Sequence, residues 1–342
     1  MYNKGNYICT KPFKELQLYK SNAHICCPGW LEKPIGNGDS LNDLFHNDIA
    51  QDIRESILDG SYKYCNENHC PALSELNAGK IHDWFIPKTK RNIKKITTNI
   101  SPKDINFNFD ESCNFKCPSC RTDYINYKGN DRLKVDNWLD RINTELSKDI
   151  ETMYISGSCD PFYSKSFRLY LESLNVEDYP NLKKIHIHTN GSLWTENMWN
   201  KLFHIHEYIT SCEISIDAGT KKTYENKVRL GGEWDKLLNN LSFICNIPTI
   251  KRYSFSFVVQ DNNYTEMLEF YNVIENLMKH RDPQEWCCYY LRIINWGTFN
   301  EGEFKLKDVA DPTHPEYGMF IDRLKDVIDK PNCLTNMGHL IS

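Results

Sequence analysis

The residues with the plainest chemistry are three cysteines within eight positions, Cys113, Cys117 and Cys120, in the run Cys-Asn-Phe-Lys-Cys-Pro-Ser-Cys. A 4Fe–4S cluster is normally held by four thiolates. Three thiolates this close leave one iron without a protein ligand, open to something that reacts. The competing readings are a zinc site or three unrelated buried thiols. Zinc asks for a fourth ligand nearby, usually in paired C-x2-C spacing.

The element that must position the trio lies just before it. Ile105-Asn106-Phe107-Asn108-Phe109 alternates apolar and polar residues, the pattern of a strand. The thiols therefore follow a strand's carboxyl end, where α/β proteins usually carry their chemistry. Downstream the alternation of elements continues. Strand-like runs cover 105–109, 152–155, 184–188, 213–216, 254–259 and 290–294, and helix-like runs cover 135–146, 166–174, 196–206, 233–245 and 264–278. Six strands separated by helices predict an α/β fold with a parallel sheet and right-handed crossovers.

Composition bounds the remaining choices. At 342 residues the chain has room for two domains of roughly 150 residues each. With 40% hydrophobic residues it can bury a core, and a net charge of −5 gives no global nucleic-acid signal. The one basic run, Lys88 to Lys95, reads as a solvated linker rather than a phosphate patch. Fourteen cysteines would suggest disulfides in a secreted protein. The first residues contain no apolar signal region, however, and no window is long enough to span a bilayer. The expectation is a cytoplasmic protein that binds neither membrane nor nucleic acid and uses clustered cysteines as metal ligands.

The C-x3-C-x2-C spacing resembles the signature of the radical S-adenosylmethionine (SAM) enzymes. The resemblance implies a partial (β/α)6 TIM barrel, in which Cys113, Cys117 and Cys120 hold a 4Fe–4S cluster whose free iron chelates SAM. It also implies reductive cleavage of SAM, hydrogen abstraction from a substrate by the 5′-deoxyadenosyl radical, and an external electron donor such as flavodoxin or ferredoxin. Ser156-Gly157-Ser158-Cys159-Asp160-Pro161 is similar to the family's Gly-Gly-Glu-Pro segment, which would put Asp160 on the SAM amine; Cys159 adds bulk where the family has none. His188-Thr189-Asn190-Gly191 places Asn190 beside SAM by the same resemblance, although Asn-Gly alone is only a turn signal. Ser215-Ile216-Asp217 and the later Arg229 resemble a segment that sets Ser215 and Asp217 by the ribose and Arg229 on the SAM carboxylate. A guanidinium fork suits a carboxylate; the plainer reading of Arg229 is a surface pair with Glu225 at helical spacing. Gln260 would lie near the adenosyl group, while Trp296 reads equally as an adenine neighbour or as core.

Residues 1–87 resemble the auxiliary-cluster domains of this family, the SPASM and twitch types, placed here before the barrel. The resemblance implies a second, auxiliary 4Fe–4S cluster on Cys9, one of Cys26 and Cys27, Cys65 and Cys70, with Cys26 favoured by analogy. Neighbours on a strand face opposite ways, so only one of Cys26 and Cys27 should ligate. A four-thiolate zinc site remains the alternative. Between the cysteines, Ser40 caps an amphipathic helix that runs to Asp59-Gly60.

The expected organisation is thus an auxiliary domain at 1–87, a linker at 88–103, a core at 104–300 and a helical tail at 301–342. The expected substrate is a peptide or protein side chain; a small molecule such as a sugar or nucleoside, and a non-catalytic iron–sulfur or zinc protein, are the alternatives. Cys333 has no evident partner in the sequence, and His186 and His188 read as structural residues on one strand face.

Overall fold

The computed structural model describes residues 3–38, 40–98 and 100–341. Its strands are β1 (Tyr7–Cys9), β2 (Glu15–Tyr19), β3 (Asn22–His24), β4 (Phe85–Pro87), β5 (Asp104–Asn108), β6 (Thr152–Ile155), β7 (Lys184–Thr189), β8 (Ile209–Ser215), β9 (Arg252–Val259), β10 (Trp286–Arg292) and β11 (Cys333–Thr335). Strands β5 to β10 lie side by side in chain order and all parallel. Helices Gly129–Arg141, Lys165–Ser173, Glu196–Lys201, Trp234–Ile244 and Met267–Met278 fill the crossovers. This is an α/β fold of six consecutive strand–helix units, an open (β/α)6 arrangement.

The strand pattern explains the layering. Along β7, Ile185, Ile187 and Thr189 are buried, while Lys184, His186 and His188 are half-buried. The apolar face carries Ile105, Phe107, Ile155, Ile187, Ile214, Phe255 and Phe257 into one continuous core with the helices. Phe107 meets Phe167 at 5.8 Å between ring centres, and Phe257 meets Phe270 at 5.1 Å. Each such ring contributes on the order of 1.5–3 kcal/mol by burial. The opposite face is polar: Tyr154, His186, His188, Glu213, Ser215 and Ser256 stand there.

Both edges of this sheet are extended. β2 pairs parallel with β5 and antiparallel with β3, and β11 pairs parallel with β10, giving nine strands. The sheet curls until its edges approach. The Tyr19 ring at the end of β2 lies 5.9 Å from Trp296 beyond β10. A Cβ on Gly29 would fall 2.8 Å from Ile294. Ser74 donates to the Asn336 carbonyl at 2.7 Å, and Asn336 Nδ2 donates to the His69 carbonyl at 3.2 Å. The N-terminal residues therefore bridge the gap between the two edges.

Several boundaries differ from the expectation. The first 87 residues contribute β2 and β3 to the main sheet, because Glu15–Tyr19 finds its hydrogen-bond partners on β5. The segment 88–103 contains a capped helix, Lys90–Thr97. The tail provides the helix Tyr317–Ile328 and also β11. The helix expected to begin after Ser40 is two, Leu41–His46 and Asp48–Asp59; Asn47 breaks it and caps the second, its Oδ1 accepting from Ala50 N at 2.9 Å. Gly60, at φ +91°, ends it. Among the described residues no helix is long and apolar enough to cross a membrane.

Candidate functional site

The three cysteines sit on a loop fixed at several points. Cys113 N donates to the Ile125 carbonyl at 2.9 Å, closing the loop's base. Cys120 N and Arg121 N donate to the Cys117 carbonyl at 2.9 and 3.0 Å, which folds Cys117 and Cys120 into one turn. Lys116 N donates to the Leu230 carbonyl at 2.9 Å and ties the loop to the segment after β8.

Each sulfur faces a donor. Cys113 Sγ accepts from Phe115 N at 3.4 Å and from Asn190 Nδ2 at 3.8 Å. Arg229 Nη1 donates to Cys117 Sγ at 3.5 Å, and Arg121 Nη2 donates to Cys120 Sγ at 3.3 Å. Two guanidinium groups thus bring positive charge to the trio and a neutral amide adds a hydrogen-bond donor, the environment that favours thiolate. In the unligated thiols burial still outweighs it: it pushes the Cys113 thiol up to about 12, with Asp160 adding to the rise and Arg121 opposing it, and raises Cys117 against the pull of Arg229. Sequence reasoning passed over Arg121, although a cation directly after a thiol was a usable signal. Arg121 also donates to the carbonyls of Ser158, at 2.6 Å, and Glu111, tying the cysteine loop to the turn after β6.

Asp160 does not stand free for a ligand. It is 1% exposed, and both carboxylate oxygens are occupied. Oδ2 accepts from Thr189 Oγ1 at 2.6 Å and Asn190 N at 3.0 Å; Oδ1 accepts from Phe162 N at 3.1 Å and Tyr163 N at 3.2 Å. A carboxylate has about four acceptor positions, so the expected contact with the SAM amine has no lone pair left. Asp160 is a latch between the loops after β6 and β7. Asn190 continues that latch: its Nδ2 donates to Asn114 Oδ1 at 2.9 Å and its Oδ1 accepts from Ser192. In the same turn Ser156 takes φ +76°, and its hydroxyl meets the Cys159 carbonyl at 2.5 Å and the Cys159 sulfur at 3.3 Å. The bulk of Cys159 is thereby folded back onto Ser156. A Cβ on Gly157 would fall 2.5 Å from Asn108 Oδ1.

Arg229 turns inward, with its side chain only 12% exposed, and does not pair with Glu225, which instead accepts from Trp234 N at 2.9 Å. Its Nη2 meets Asp217 Oδ2 at 2.7 Å, and Asp217 Oδ1 accepts from Val258 N at 2.7 Å. Burial pushes the Asp217 carboxyl up and Arg229 opposes it, while Asp217 holds the guanidinium firmly charged against its own burial. Asp217 takes φ +60°, which a short polar residue tolerates. Ser215 lies apart from this pair, on the polar face, where its hydroxyl meets His188 Nε2 at 2.9 Å and Ser256 Oγ at 3.1 Å. Thus Cys117, Arg229 and Asp217 form one group, Cys113, Asn190 and Asp160 another, and Ser215 a third beside His188.

The residues fit a polar cofactor at the cysteine loop. Arg229 Nε, the Tyr224 hydroxyl and Gln260 Nε2 are buried with no hydrogen-bond partner among the described residues. A buried unpaired donor costs ~1–3 kcal/mol, and these three stand on segments leading out of β8 and β9. Tyr224 was not singled out from sequence; an apolar-looking tyrosine in a helical turn gives no signal there.

A second thiol group lies in the N-terminal region. Cys9, Cys26, Cys65 and Cys70 line one apolar cavity together with Lys11 and Trp30. Cys27 does not line it; β3 ends at His24, so both cysteines belong to the turn after the strand, where Trp30 N donates to the Cys27 carbonyl at 2.9 Å. Burial pushes the Cys9 thiol up to about 12, with Cys70 reinforcing it, and Cys26 rises well above its ordinary value for the same first reason. Lys11 is the compensating cation, itself paired with Glu15. Among the described residues no three His, Cys, Asp or Glu side chains converge closely enough to hold a single metal ion. Cys333 stands opposite Cys288 in the β10–β11 register and is not among the residues lining the N-terminal cavity.

No protein-family model matches the chain, and no curated protein does. Solved structures do match. Streptococcus suis SuiB bound to S-adenosylmethionine aligns over 68% of this chain and 50% of its own at 15% identity, with a TM-score of 0.44. SuiB bound to the precursor peptide SuiA aligns over 87% and 55% at 14% identity and a TM-score of 0.42. Histidine-tagged anSMEcpe with bound AdoMet aligns over 68% and 62% at 16% identity and a TM-score of 0.47. The chain spans about half the length of the SuiB chains it matches.

Proposed function

We propose that this chain is a radical SAM enzyme, with Cys113, Cys117 and Cys120 holding a 4Fe–4S cluster at the mouth of the open barrel. When bound, that cluster supplies the electron that splits the SAM sulfonium into methionine and a 5′-deoxyadenosyl radical, which takes a hydrogen atom from the substrate. The observation that carries the reading is the set of three cysteine sulfurs, each facing its own donor: Asn190, Arg229 and Arg121.

The chain's own residues then divide the work. Arg229 neutralises Cys117 and keeps Nε for the SAM carboxylate, while Asp217 fixes the guanidinium. Gln260 and Tyr224 offer the other unpaired donors. Asp160 and Asn190 act one step back, holding the loop that presents Cys113. Ser215, with His188, faces the polar interior and orients the ribose or the substrate. That interior, with Glu213 and Ser256 beside them, suits a polar substrate group; a peptide or protein side chain is the substrate class we infer.

Cys9, Cys26, Cys65 and Cys70 form the auxiliary cluster site in this reading. The test is anaerobic reconstitution followed by SAM and dithionite. The proposal expects 5′-deoxyadenosine from the wild type and none from Cys113→Ala; equal yields from both would refute the assignment.

A further inference from the structure

The helix Lys90–Thr97 is more than a solvated connector. Thr89 caps it, its hydroxyl accepting from Asn92 N at 3.1 Å. Ile93 and Ile96 pack against the apolar cluster that contains Ile8, Cys9, Tyr62, Cys70 and Phe85. Lys90, Arg91, Lys94 and Lys95 are exposed. Spacing of four sets Lys90 beside Lys94 and Arg91 beside Lys95, so one helix face carries two like-charged pairs, which weaken a helix. Among the described residues none of the four has a carboxylate partner. Four uncompensated cations on eight residues stand out in a chain of net charge −5.

The location adds to this. A helix is ~10–12 Å across, so the charged face stands about one helix thickness from the cluster of residues that includes Cys9 and Cys70. Weak electron-transfer encounters use small interfaces and charge complementarity. A stripe this short meets that need, whereas nucleic-acid affinity is commonly built from about 6–10 phosphate contacts.

We infer that this face docks an acidic one-electron carrier protein beside the N-terminal thiol site. The inference rests on the proposed function, which needs an outside electron source. The test measures binding of an acidic flavodoxin to the reconstituted protein at low and moderate salt. The variants are K90E/R91E/K94E/K95E and the neutral K90Q/R91Q/K94Q/K95Q, with circular dichroism confirming the fold.

Wild-type affinity is expected to fall as salt rises, the charge-reversed variant to bind roughly tenfold or more weakly, and the neutral variant to fall between. Unchanged affinity in both variants overturns the inference. So does a wild type that ignores flavodoxin but binds tRNA or anionic vesicles through the same residues. Dithionite-driven 5′-deoxyadenosine formation is expected to be equal in all three proteins. Its absence from the wild type would defeat the proposed function, while the binding series still reads the docking face.

Discussion

Asp160→Asn separates a structural latch from a cofactor ligand. The substitution keeps shape and removes charge. With its oxygen turned to Phe162 N and Tyr163 N, the new amide group faces Thr189 Oγ1 and Asn190 N. Thr189 can turn its hydroxyl and accept, but the Asn190 amide cannot, so one buried donor is stranded. That costs ~1–3 kcal/mol, and the charge-assisted strength of the remaining bonds is lost as well. Relief of the buried charge offsets part of this, since burial already raises the Asp160 pKa. The net expectation is a loss of ~2 kcal/mol in the unliganded protein. Urea unfolding without SAM, compared between wild type and variant, is the assay. A carboxylate reserved for the SAM amine would instead leave unliganded stability unchanged or higher. A difference within ~0.5 kcal/mol, typical of substitutions away from such features, would refute the latch.

Two further outcomes follow from the N-terminal region. Cys26→Ala should lose about four irons per chain after reconstitution, one cluster's worth, and Cys27→Ala should keep them; iron analysis showing the reverse would move the ligand to Cys27. His24 is buried with an unpaired Nδ1, and burial lowers its pKa to about 4 from 6.5. Between those values the unfolded chain takes up a proton that the folded chain refuses, so stability falls as pH drops through that window, by up to about 3 kcal/mol. His24→Gln should flatten the stability–pH slope between pH 6.5 and 4; parallel slopes for wild type and variant would count against it.

Much of the core could be read in advance because its physics is local. Each of the six strands from Asp104 to Arg292 carries an apolar face that only a buried sheet explains, and Cys113 follows the first of them. The contribution of Glu15–Tyr19 to the same sheet was not legible, since pairing with β5 spans some ninety residues and leaves no local mark. Asn47 hid a helix break for a related reason: a residue that caps one helix also fits inside a longer one until the backbone is seen. At the site, residue types pointed to the right loops but not to their partners. Arg229 at helical spacing from Glu225 reads as a surface pair, yet it turns inward to Cys117 and Asp217. Asp160 reads as a ligand because a carboxylate's hydrogen bonds to Phe162, Tyr163, Thr189 and Asn190 depend on where the loops after β6 and β7 meet.

The most direct examination of the account is the low-temperature electron paramagnetic resonance spectrum of the reduced, reconstituted protein, recorded with the auxiliary site removed by Cys9→Ala and Cys65→Ala. If three cysteines leave one iron corner open, adding SAM must change the cluster signal, and Arg229→Ala must weaken that response. A signal that ignores saturating SAM, or a protein that binds zinc and no iron at Cys113, Cys117 and Cys120, would contradict it.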